Sequence, residues 1–370
     1  MPYEIVPYAP EFDAQIAQLQ THLWSGSTAR NAAYLRWKYA ENPFFDETLI
    51  HLALSDGGVV AMRGMFGGLW QVDATATCWR VPCADDLVVQ PEHRNSGVAG
   101  RVARACVAAA AARGFPFAVS LNASPATFVS SLAAGWRAAG SYESVWRYAA
   151  CSPRLERLRS RMRHTPWRHV HTLLNRLRPN GLFAVLDRAG RQMSGPLSLG
   201  REPRPQEMAD LVAHLPWDGR IRHVRDAAYF AWRFRNPLHD YRFLFWDDDG
   251  LHGYLVLQRY LSDRADQGCI NIADWEASDE HVRAALLDAA LRCGRFHRVQ
   301  AWTASVPEPV RTVLRDQGFR TPEPSMTTRH SGLLVHRLSD ASARECWPLG
   351  SRNLLNIADW DLRMLYSMAA

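Results

Sequence analysis

The clearest pattern of apolar and polar positions runs from Asp86 to Trp136. An apolar run at 86–89 precedes a polar loop at 90–101, and an alanine-rich stretch at 102–113 has the length and composition of a helix that ends at Gly114. A second buried strand is predicted at 115–121, and Ser124-Pro125 begins a helix that ends at Gly135. This part of the chain therefore predicts the order strand, loop, helix, strand, helix.

Alternating strands are predicted elsewhere at 50–54 and 242–246. Asp56-Gly57 and Asp249-Gly250 follow them and predict tight hairpin turns. Strands and helices in this mixed order predict an α/β fold class, in which a mixed central sheet is flanked by helices.

The chain also repeats itself in three blocks that keep one order. The segment from Tyr34 to Pro43, which contains Trp37, returns from Tyr229 to Pro237 around Trp232. The other two matches are Asp86 and Glu92-His93 with Asp274 and Glu280-His281, and Phe115 to Gly135-Trp136-Arg137 with Phe296 to Gly318-Phe319-Arg320. Three repeated blocks predict two tandem copies of one fold, with Trp37 and Trp232 packing at equivalent places.

The loop at 90–101 joins a strand to a helix N-terminus and contains Gly97 and Gly100. Such a loop offers backbone N–H groups and the positive end of a helix to an anion, which predicts a phosphate-binding site. It lacks the Lys-Ser/Thr ending of a nucleoside triphosphate loop and the three-glycine spacing of a dinucleotide loop, so both of those sites are excluded.

The loop and the elements after it resemble the acyl-CoA site of the GNAT acyltransferase superfamily. Arg94, Gly97 and Ala99 occupy the family's pattern of Arg or Gln, two residues, Gly, one residue, Gly or Ala. The resemblance implies two tandem GNAT-like domains and acetyl-CoA or another acyl-CoA as co-substrate. The implied coenzyme-binding residues are Leu87, Val88, Val89, Arg94, Asn95, Ser96, Gly97, Val98, Ala99, Gly100 and Asn122. The second copy has no glycine at 282–287, which implies a degenerate copy and a single acyl-CoA site.

Transfer of an acyl group to an amine needs a base, because amines are protonated at neutral pH. The family often places this base on or near the strand before the loop, which nominates Asp85 and Asp86; since strand residues alternate, only one of them should face the cleft. The alternative for each is a structural ion pair. The family's tyrosine acid is replaced here by Ser131, so Tyr142 is a substitute candidate.

Composition limits the remaining possibilities. The 370 residues suggest a GNAT-like domain at 1–150, a basic helical linker at 151–206, a degenerate GNAT-like domain at 207–340 and a tail at 341–370. The seven cysteines contain no C-x-x-C pair, and the start of the chain has no signal-peptide pattern, so a cytoplasmic location is expected. No metal site is expected.

The basic charge is local to the linker. Eight arginines and one glutamate lie between Arg154 and Arg178, whereas the whole chain carries a net charge of +6. A solvated helix pair is one interpretation, and peripheral contact with anionic lipid or phosphate is another. Nucleic acid is not expected as a partner, since interleaved aromatic residues are scarce.

The predicted activity is therefore acyl-CoA-dependent N-acyl transfer to a small-molecule amine. The segment from Trp37 to Pro43 resembles GNAT-like proteins associated with surface polysaccharides, which implies an amino sugar as acceptor. The alternative is a non-catalytic module that binds acyl-CoA or a nucleotide sugar. The tail at 356–361 echoes the sequence at 271–276, and an acidic pair that lines a pocket is one interpretation of this echo.

Overall fold

The computed structural model describes residues 3–46, 48–72, 77–121, 123–148, 181–217, 219–261, 269–294, 296, 298–321, 332–338 and 347–367. The basic segment between Arg154 and Arg178 lies outside them. The strands in chain order are β1 (Glu4–Pro7), β2 (Leu49–Ser55), β3 (Gly58–Gln71), β4 (Cys78–Val89), β5 (Phe117–Ser120), β6 (Arg137–Ser141), β7 (Ser144–Tyr148), β8 (Leu197–Gly200), β9 (Ile221–His223), β10 (His239–Asp247), β11 (Leu251–Tyr260), β12 (Cys269–Ala277), β13 (Arg298–Trp302), β14 (Gly332–Arg337), β15 (Pro348–Leu349), β16 (Arg352–Asn353) and β17 (Trp360–Asp361). The α-helices are α1 (Asp13–Leu19), α2 (Thr28–Leu35), α3 (Val98–Ala112), α4 (Pro125–Ala133), α5 (Gly181–Gly190), α6 (Pro205–His214), α7 (Ala227–Arg233), α8 (Glu280–Gly294) and α9 (Glu308–Asp316).

These elements form two mixed sheets flanked by helices, as the sequence predicts. The strand order of the first sheet is β1-β2-β3-β4-β5-β14-β6, with β9 and β17 attached to β3. The second sheet has the order β7-β13-β12-β11-β10-β8. In both sheets the central parallel pair, β4 with β5 or β12 with β13, follows a run of antiparallel strands. Both predicted hairpins are present, between β2 and β3 and between β10 and β11.

The two sheets exchange a strand. β7 follows the first copy but pairs with β13 in the second sheet, whereas β14 follows the second copy and inserts between β5 and β6 in the first. On its other side β7 meets Arg320, which is the repeat partner of Arg137 at the start of β6. Each copy thus supplies the strand that completes the other. The predicted domain limits remain a prediction. Both β7 and β14 pair with strands that lie in the other predicted domain.

The repeated tryptophans lie where the copies meet. The rings of Trp37 and Trp232 stack with their centroids 4.9 Å apart and an angle of 11° between their planes. The indole N–H of Trp37 donates to the carbonyl oxygen of Trp232 over 2.7 Å, and that of Trp232 donates to the carbonyl oxygen of Trp37 over 2.8 Å. This reciprocal contact relates the two copies to each other.

The main hydrophobic core is continuous across the junction between the copies. It contains residues of both halves and of the final turn, Met364–Tyr366. Within the described residues, no helix is long and apolar enough to cross a membrane. None of their His, Cys, Asp and Glu side chains gather in a group of three that could hold a metal ion.

His223 is buried in this core between the rings of Trp70, Tyr229 and Tyr366. Its Nδ1–H donates to the carbonyl oxygen of Val224 over 2.7 Å. Burial, partly opposed by this hydrogen bond, lowers the pKa of His223 from 6.5 to about 3. Between these two pH values, His223 therefore binds a proton in the unfolded chain but not in the folded chain.

We expect the free energy of unfolding to fall as the pH drops from about 6.5 towards 3, because the stability contributed by neutral His223 is lost in that window. His223→Phe should reduce the slope by about one proton, or roughly 1.4 kcal/mol per pH unit. Urea unfolding at several pH values measures this slope. The exposed His22→Gln variant is the control, and an unchanged slope in His223→Phe would contradict the expectation.

Candidate functional site

The loop between β4 and α3 has the backbone conformation that its glycine predicts. After the turn at Pro91–His93, Asn95 has φ 61° and Gly97, the residue before α3, has φ 78°. The hydroxyl of Ser96 donates to the carbonyl oxygen of His93 over 2.6 Å, which closes the loop on itself. A Cβ at Gly97 would meet nothing within 4 Å, so glycine serves the positive φ and leaves open space.

The first turn of α3 is open to a ligand. Gly97 provides no side-chain cap, and none of the described residues accepts a hydrogen bond from the amides of Val98, Ala99 or Gly100. Residues 94–97 are exposed, whereas Val98 and Val102 anchor the helix in a small apolar cluster with Ala53, Val60 and Ala61. This helix start, Gly97 to Gly100, is called the seat below. It combines a fixed helix end with N–H donors that have no described acceptor, which suits an anion.

The structure brings the predicted coenzyme-binding residues together along one continuous path. Leu87, Val88 and Val89 end β4, and Arg94 to Gly100 form the loop and the first turn of α3. The side chain of Arg94 turns back, and its Nε donates to the carbonyl oxygen of Val89 over 3.3 Å. Asn122 lies outside the described residues.

The equivalent seat in the second copy is filled by the protein itself. Asp279 precedes α8, and its Oδ1 accepts the amide N–H of Val282 over 2.9 Å. Hydrogen bonds from the helix amides lower the pKa of Asp279, which keeps its carboxylate charged. An anion already caps this helix, so a diphosphate would meet a negative charge in place of free donors.

The central strands of the first copy part beside the loop. β4 pairs with β5 only between Cys83 and Val119, and the register of β3 against β4 shifts between Met62 and Gly64. At this irregularity Asp86 has φ 54°, which is rare for a residue other than glycine. The alternation of side chains along β4 is broken there.

The expectation that Asp85 and Asp86 face opposite sides is therefore wrong. Both carboxylates reach the ammonium of Lys38, at 2.8 Å from Asp85 Oδ2 and 3.0 Å from Asp86 Oδ1. Lys38 is fully buried in the π-helical turn Arg36–Ala40 that continues α2, and it also donates to the hydroxyl of Tyr34. The bulge turns two successive strand residues towards one cation.

The two carboxylates differ in how many hydrogen bonds they accept from the described residues. Asp86 accepts from the indole N–H of Trp24 over 2.8 Å and from the hydroxyl of Tyr39 over 2.6 Å, in addition to Lys38. Asp85 is 6% exposed, and the described residues supply a donor only to its Oδ2. Burial raises the pKa of Asp86, with Lys38 opposing the shift. Asp86 is thus held structurally, and Asp85 keeps one oxygen without a described partner.

The two candidates for the acid lie in different surroundings. Ser131 is half-buried in α4, where its carbonyl oxygen accepts the amides of Ala134 and Trp136. Tyr142 is buried, its ring stacks on Trp302 with centroids 4.0 Å apart, and its hydroxyl has no hydrogen-bond partner among the described residues. Burial, and secondarily the thiol of Cys83, raise the pKa of Tyr142 well above its ordinary value.

Sequence reasoning missed the cation at the centre of the carboxylate pair. Lys38 stands inside the first repeated block, directly after Trp37, and its counterpart Arg233 is also fully buried, with hydrogen bonds to Tyr241 and to carbonyl oxygens of the tail. A cation at the same place in both copies, within an apolar segment, is the signal that could have indicated a buried charge.

Comparisons with known proteins find the same fold. Residues 222–335 match the family model described as "Acetyltransferase (GNAT) domain". No curated protein matches the chain. A tandem GNAT protein from the clavulanic acid biosynthesis pathway has 14% sequence identity and a TM-score of 0.52, with 92% of this chain and 100% of that one covered.

Two further solved structures are similar in fold. A GCN5-related N-acetyltransferase from Anabaena variabilis has 15% identity and a TM-score of 0.55, and a probable N-acyltransferase from Enterococcus faecalis has 9% identity and a TM-score of 0.56. Each match covers 91% of this chain and 73% of the other. The chain thus has the fold of tandem GNAT proteins, and the family model falls on the copy that lacks the glycine loop.

Lys38→Met should strongly destabilise the protein at pH 7, by about 3–5 kcal/mol, because it leaves two buried carboxylates without their cation. The loss should be smaller at pH 5, because Asp86, whose pKa is already raised by burial, can then bind a proton. Urea unfolding at both pH values tests this. Arg80→Met, which removes an exposed partner of Asp46, should cost less than about 1 kcal/mol; equal losses in the two variants would contradict the expectation.

Proposed function

We propose that the protein is an acyl-CoA-dependent N-acyltransferase whose first copy binds the diphosphate of the coenzyme at the start of α3. The observation that supports this most directly is the contrast between two equivalent helix ends. The amides of α3 have no described acceptor behind a left-handed Gly97, whereas α8 is capped by Asp279. Acetyl-CoA is the proposed acyl donor, and the second copy is proposed to have lost its coenzyme site.

The parting of β4 and β5 provides the place for the thioester. Beyond Cys83 and Val119 the backbone of β4 is no longer paired with β5, so N–H groups around Val88 and Val89 are candidates to stabilise the charge that develops on the thioester oxygen. The same separation opens a path for the acyl chain. This arrangement lies directly before the proposed diphosphate seat along the chain.

Asp85 is the better candidate for the base. Its carboxylate keeps one oxygen without a described donor and a small exposed fraction, whereas both oxygens of Asp86 accept hydrogen bonds. The proposed role of Asp86 is to fix the bulge and Lys38. The proposed acceptor proton passes to Asp85, directly or through one water molecule, as the amine attacks.

Tyr142 is proposed as the acid for the departing thiolate. Its buried hydroxyl has no partner within the described part of the chain, and its raised pKa keeps it protonated at neutral pH. Ser131 has an ordinary aliphatic hydroxyl on an adjoining helix and is a weaker proton donor. A thiol is a tolerable leaving group, so an acid would accelerate the reaction without being indispensable.

An amino sugar, such as a unit of a surface polysaccharide, is the proposed acceptor. It rests only on the resemblance of the segment around Trp37. The second candidate function is a non-catalytic module that binds acyl-CoA or a nucleotide sugar, which Ser131 favours because it stands where the family has a tyrosine. Release of free thiol from acetyl-CoA in the presence of a panel of amines separates the two functions.

Gly97→Glu should weaken coenzyme A binding by at least about tenfold, because a carboxylate would stand at the diphosphate seat. Gly114→Glu is the matched control: Gly114 has φ 77°, compared with 78° for Gly97, and a Cβ there also meets nothing within 4 Å. It lies at the other end of α3, about 25 Å away at 1.5 Å per residue. Titration calorimetry measures both variants, and equal affinities would refute the proposed seat.

Asp85→Asn should lower kcat for acetyl transfer by about 10²- to 10⁴-fold and remove the rise of kcat with pH that a base produces. Coenzyme A affinity should change little, because the diphosphate seat is untouched. Asp86→Asn should lower the free energy of unfolding, and its kcat should fall less than that of Asp85→Asn. A steady-state pH profile with a thiol-detecting assay measures these effects, and full activity in Asp85→Asn would exclude it as the base.

A further inference from the structure

The second copy contains a cavity of about 350 Å³ that the proposed reaction does not use. It opens where β12 and β13 diverge, beyond their last paired residues, Asn271 and Gln300. The C-terminal segment closes it through Asp361 to Met364, and Trp217, Trp275 and Trp302 supply aromatic walls. Its volume is at the lower end of the range for small-molecule sites, which fits a ligand of about monosaccharide size.

Charged side chains dominate the lining of this cavity. Its arginines are Arg220, Arg222, Arg225, Arg283 and Arg363, and its carboxylates away from the mouth are Asp274, Glu276 and Asp361. Asp279 and Glu280 lie exposed at the start of α8, where Asp279 already serves the helix amides. Over the whole lining the five arginines and the five carboxylates balance, so what matters is which guanidinium groups are already paired. Arg283 is paired, since it lies 3.6 Å from Glu280 and 3.8 Å from Glu276.

Two arginines form ion pairs with the three carboxylates. Arg225 donates to both oxygens of Asp274, at 3.0 and 3.1 Å, and to Glu276 over 2.6 Å. Arg363 lies 3.0 Å from Asp274, 2.8 Å from Glu276 and 3.3 Å from Asp361. The echoed tail sequence thus brings Asp361 to the same pocket as Asp274, and each of the three acids lies against at least one of these two arginines.

Arg222 forms no hydrogen bond or ion pair with these carboxylates in the part of the chain that the structure describes. Its Nε donates to Gln71 over 3.1 Å and its guanidinium lies 4.5 Å from the ring centroid of Trp217. Among the described residues, nothing accepts a hydrogen bond from its two terminal nitrogens. Burial, and then the charge of Arg225, lower the pKa of Arg222, with Tyr366, Asp361 and Glu276 opposing the shift.

We propose that this cavity binds a phosphate dianion, free or carried by a small metabolite, with Arg222 as its anchor. A phosphomonoester has a charge of about −1.5 to −2 at pH 7, and its oxygens can accept hydrogen bonds from the terminal nitrogens of Arg222. The free edge of a guanidinium is suited to two parallel hydrogen bonds with phosphate oxygens. The indole rings would contact the apolar faces of the attached group.

Coenzyme A is not the occupant that this site favours. The cavity lies at the parting of the central strands, but its diphosphate seat is blocked by Asp279, and a neutral pantetheine arm offers no anion to Arg222. The inferred site is therefore separate from the seat at Gly97. Its occupancy does not depend on whether the proposed transferase activity is correct.

The test titrates the full-length protein with glucose 6-phosphate, inorganic phosphate, glucose and coenzyme A, by calorimetry and by the fluorescence of the cavity tryptophans. One equivalent of glucose 6-phosphate should bind and glucose should not. Arg222→Gln should weaken this binding by at least about tenfold, since it removes the charged donors. The control Arg191→Gln removes an exposed arginine outside the cavity and should bind as the unmodified protein does.

Each further result distinguishes free phosphate from a phosphate ester, or the cavity from the coenzyme loop. Equal binding of inorganic phosphate and the ester would support the site and assign it to free phosphate. Retained ester binding in Gly97→Glu would support a site separate from the coenzyme loop. Loss of ester binding in Gly97→Glu, displacement of the ester by coenzyme A, or unchanged affinity in Arg222→Gln would overturn the proposal, with thermal melting confirming that each variant is folded.

Discussion

The reciprocal contact of Trp37 with Trp232 is the interaction on which the arrangement of the two copies depends. Each indole stacks on the other and donates its only N–H to the other's carbonyl oxygen. The stacking contributes about 0.5–1.5 kcal/mol beyond the buried area, and each hydrogen bond about 1 kcal/mol. Their greater effect is geometric, because two symmetric donors and acceptors permit only one relative position of α7 and the turn at Arg36–Ala40. That position brings β7 and β14 within reach of the opposite sheets.

The repeated blocks predict the tandem fold, and the structure and the comparisons confirm it. The strand exchange could not be predicted in the same way. Alternation of apolar residues in β7 and β14 specifies which face of a strand is buried, but not which sheet accepts its edge. Both copies provide the same vacancy beside β5 or β13, so either sheet would satisfy the backbone of either strand. The choice therefore depends on how the two copies are placed relative to each other, which the strand's own sequence does not specify.

The candidate site was predictable to a different extent in its two parts. The glycine loop follows from local chemistry, since a positive φ and free amides need only residues close in sequence. The carboxylates depend on a distant cation and on a bulge. Strict alternation in β4 would separate Asp85 from Asp86, yet φ 54° at Asp86 turns both towards Lys38. A single residue in the left-handed region therefore converts two apparent alternatives into one buried cluster, which no periodicity could indicate.

The two copies have diverged most at equivalent helix ends and at equivalent strand partings. In the first copy the helix end is bare and the carboxylate beside the parting strands is held by a lysine; in the second, Asp279 caps the helix and Asp274 is held by two arginines. One change accounts for much of the difference: an anion supplied by the chain removes the need for a bound anion at α8. Deeper in the second copy, between β12 and β13, the half-buried Arg222 forms no hydrogen bond with a carboxylate of the described residues. The two copies thus differ in where a cationic group or a helix end has donors without a described acceptor, because a buried charge costs free energy until a counter-charge is present.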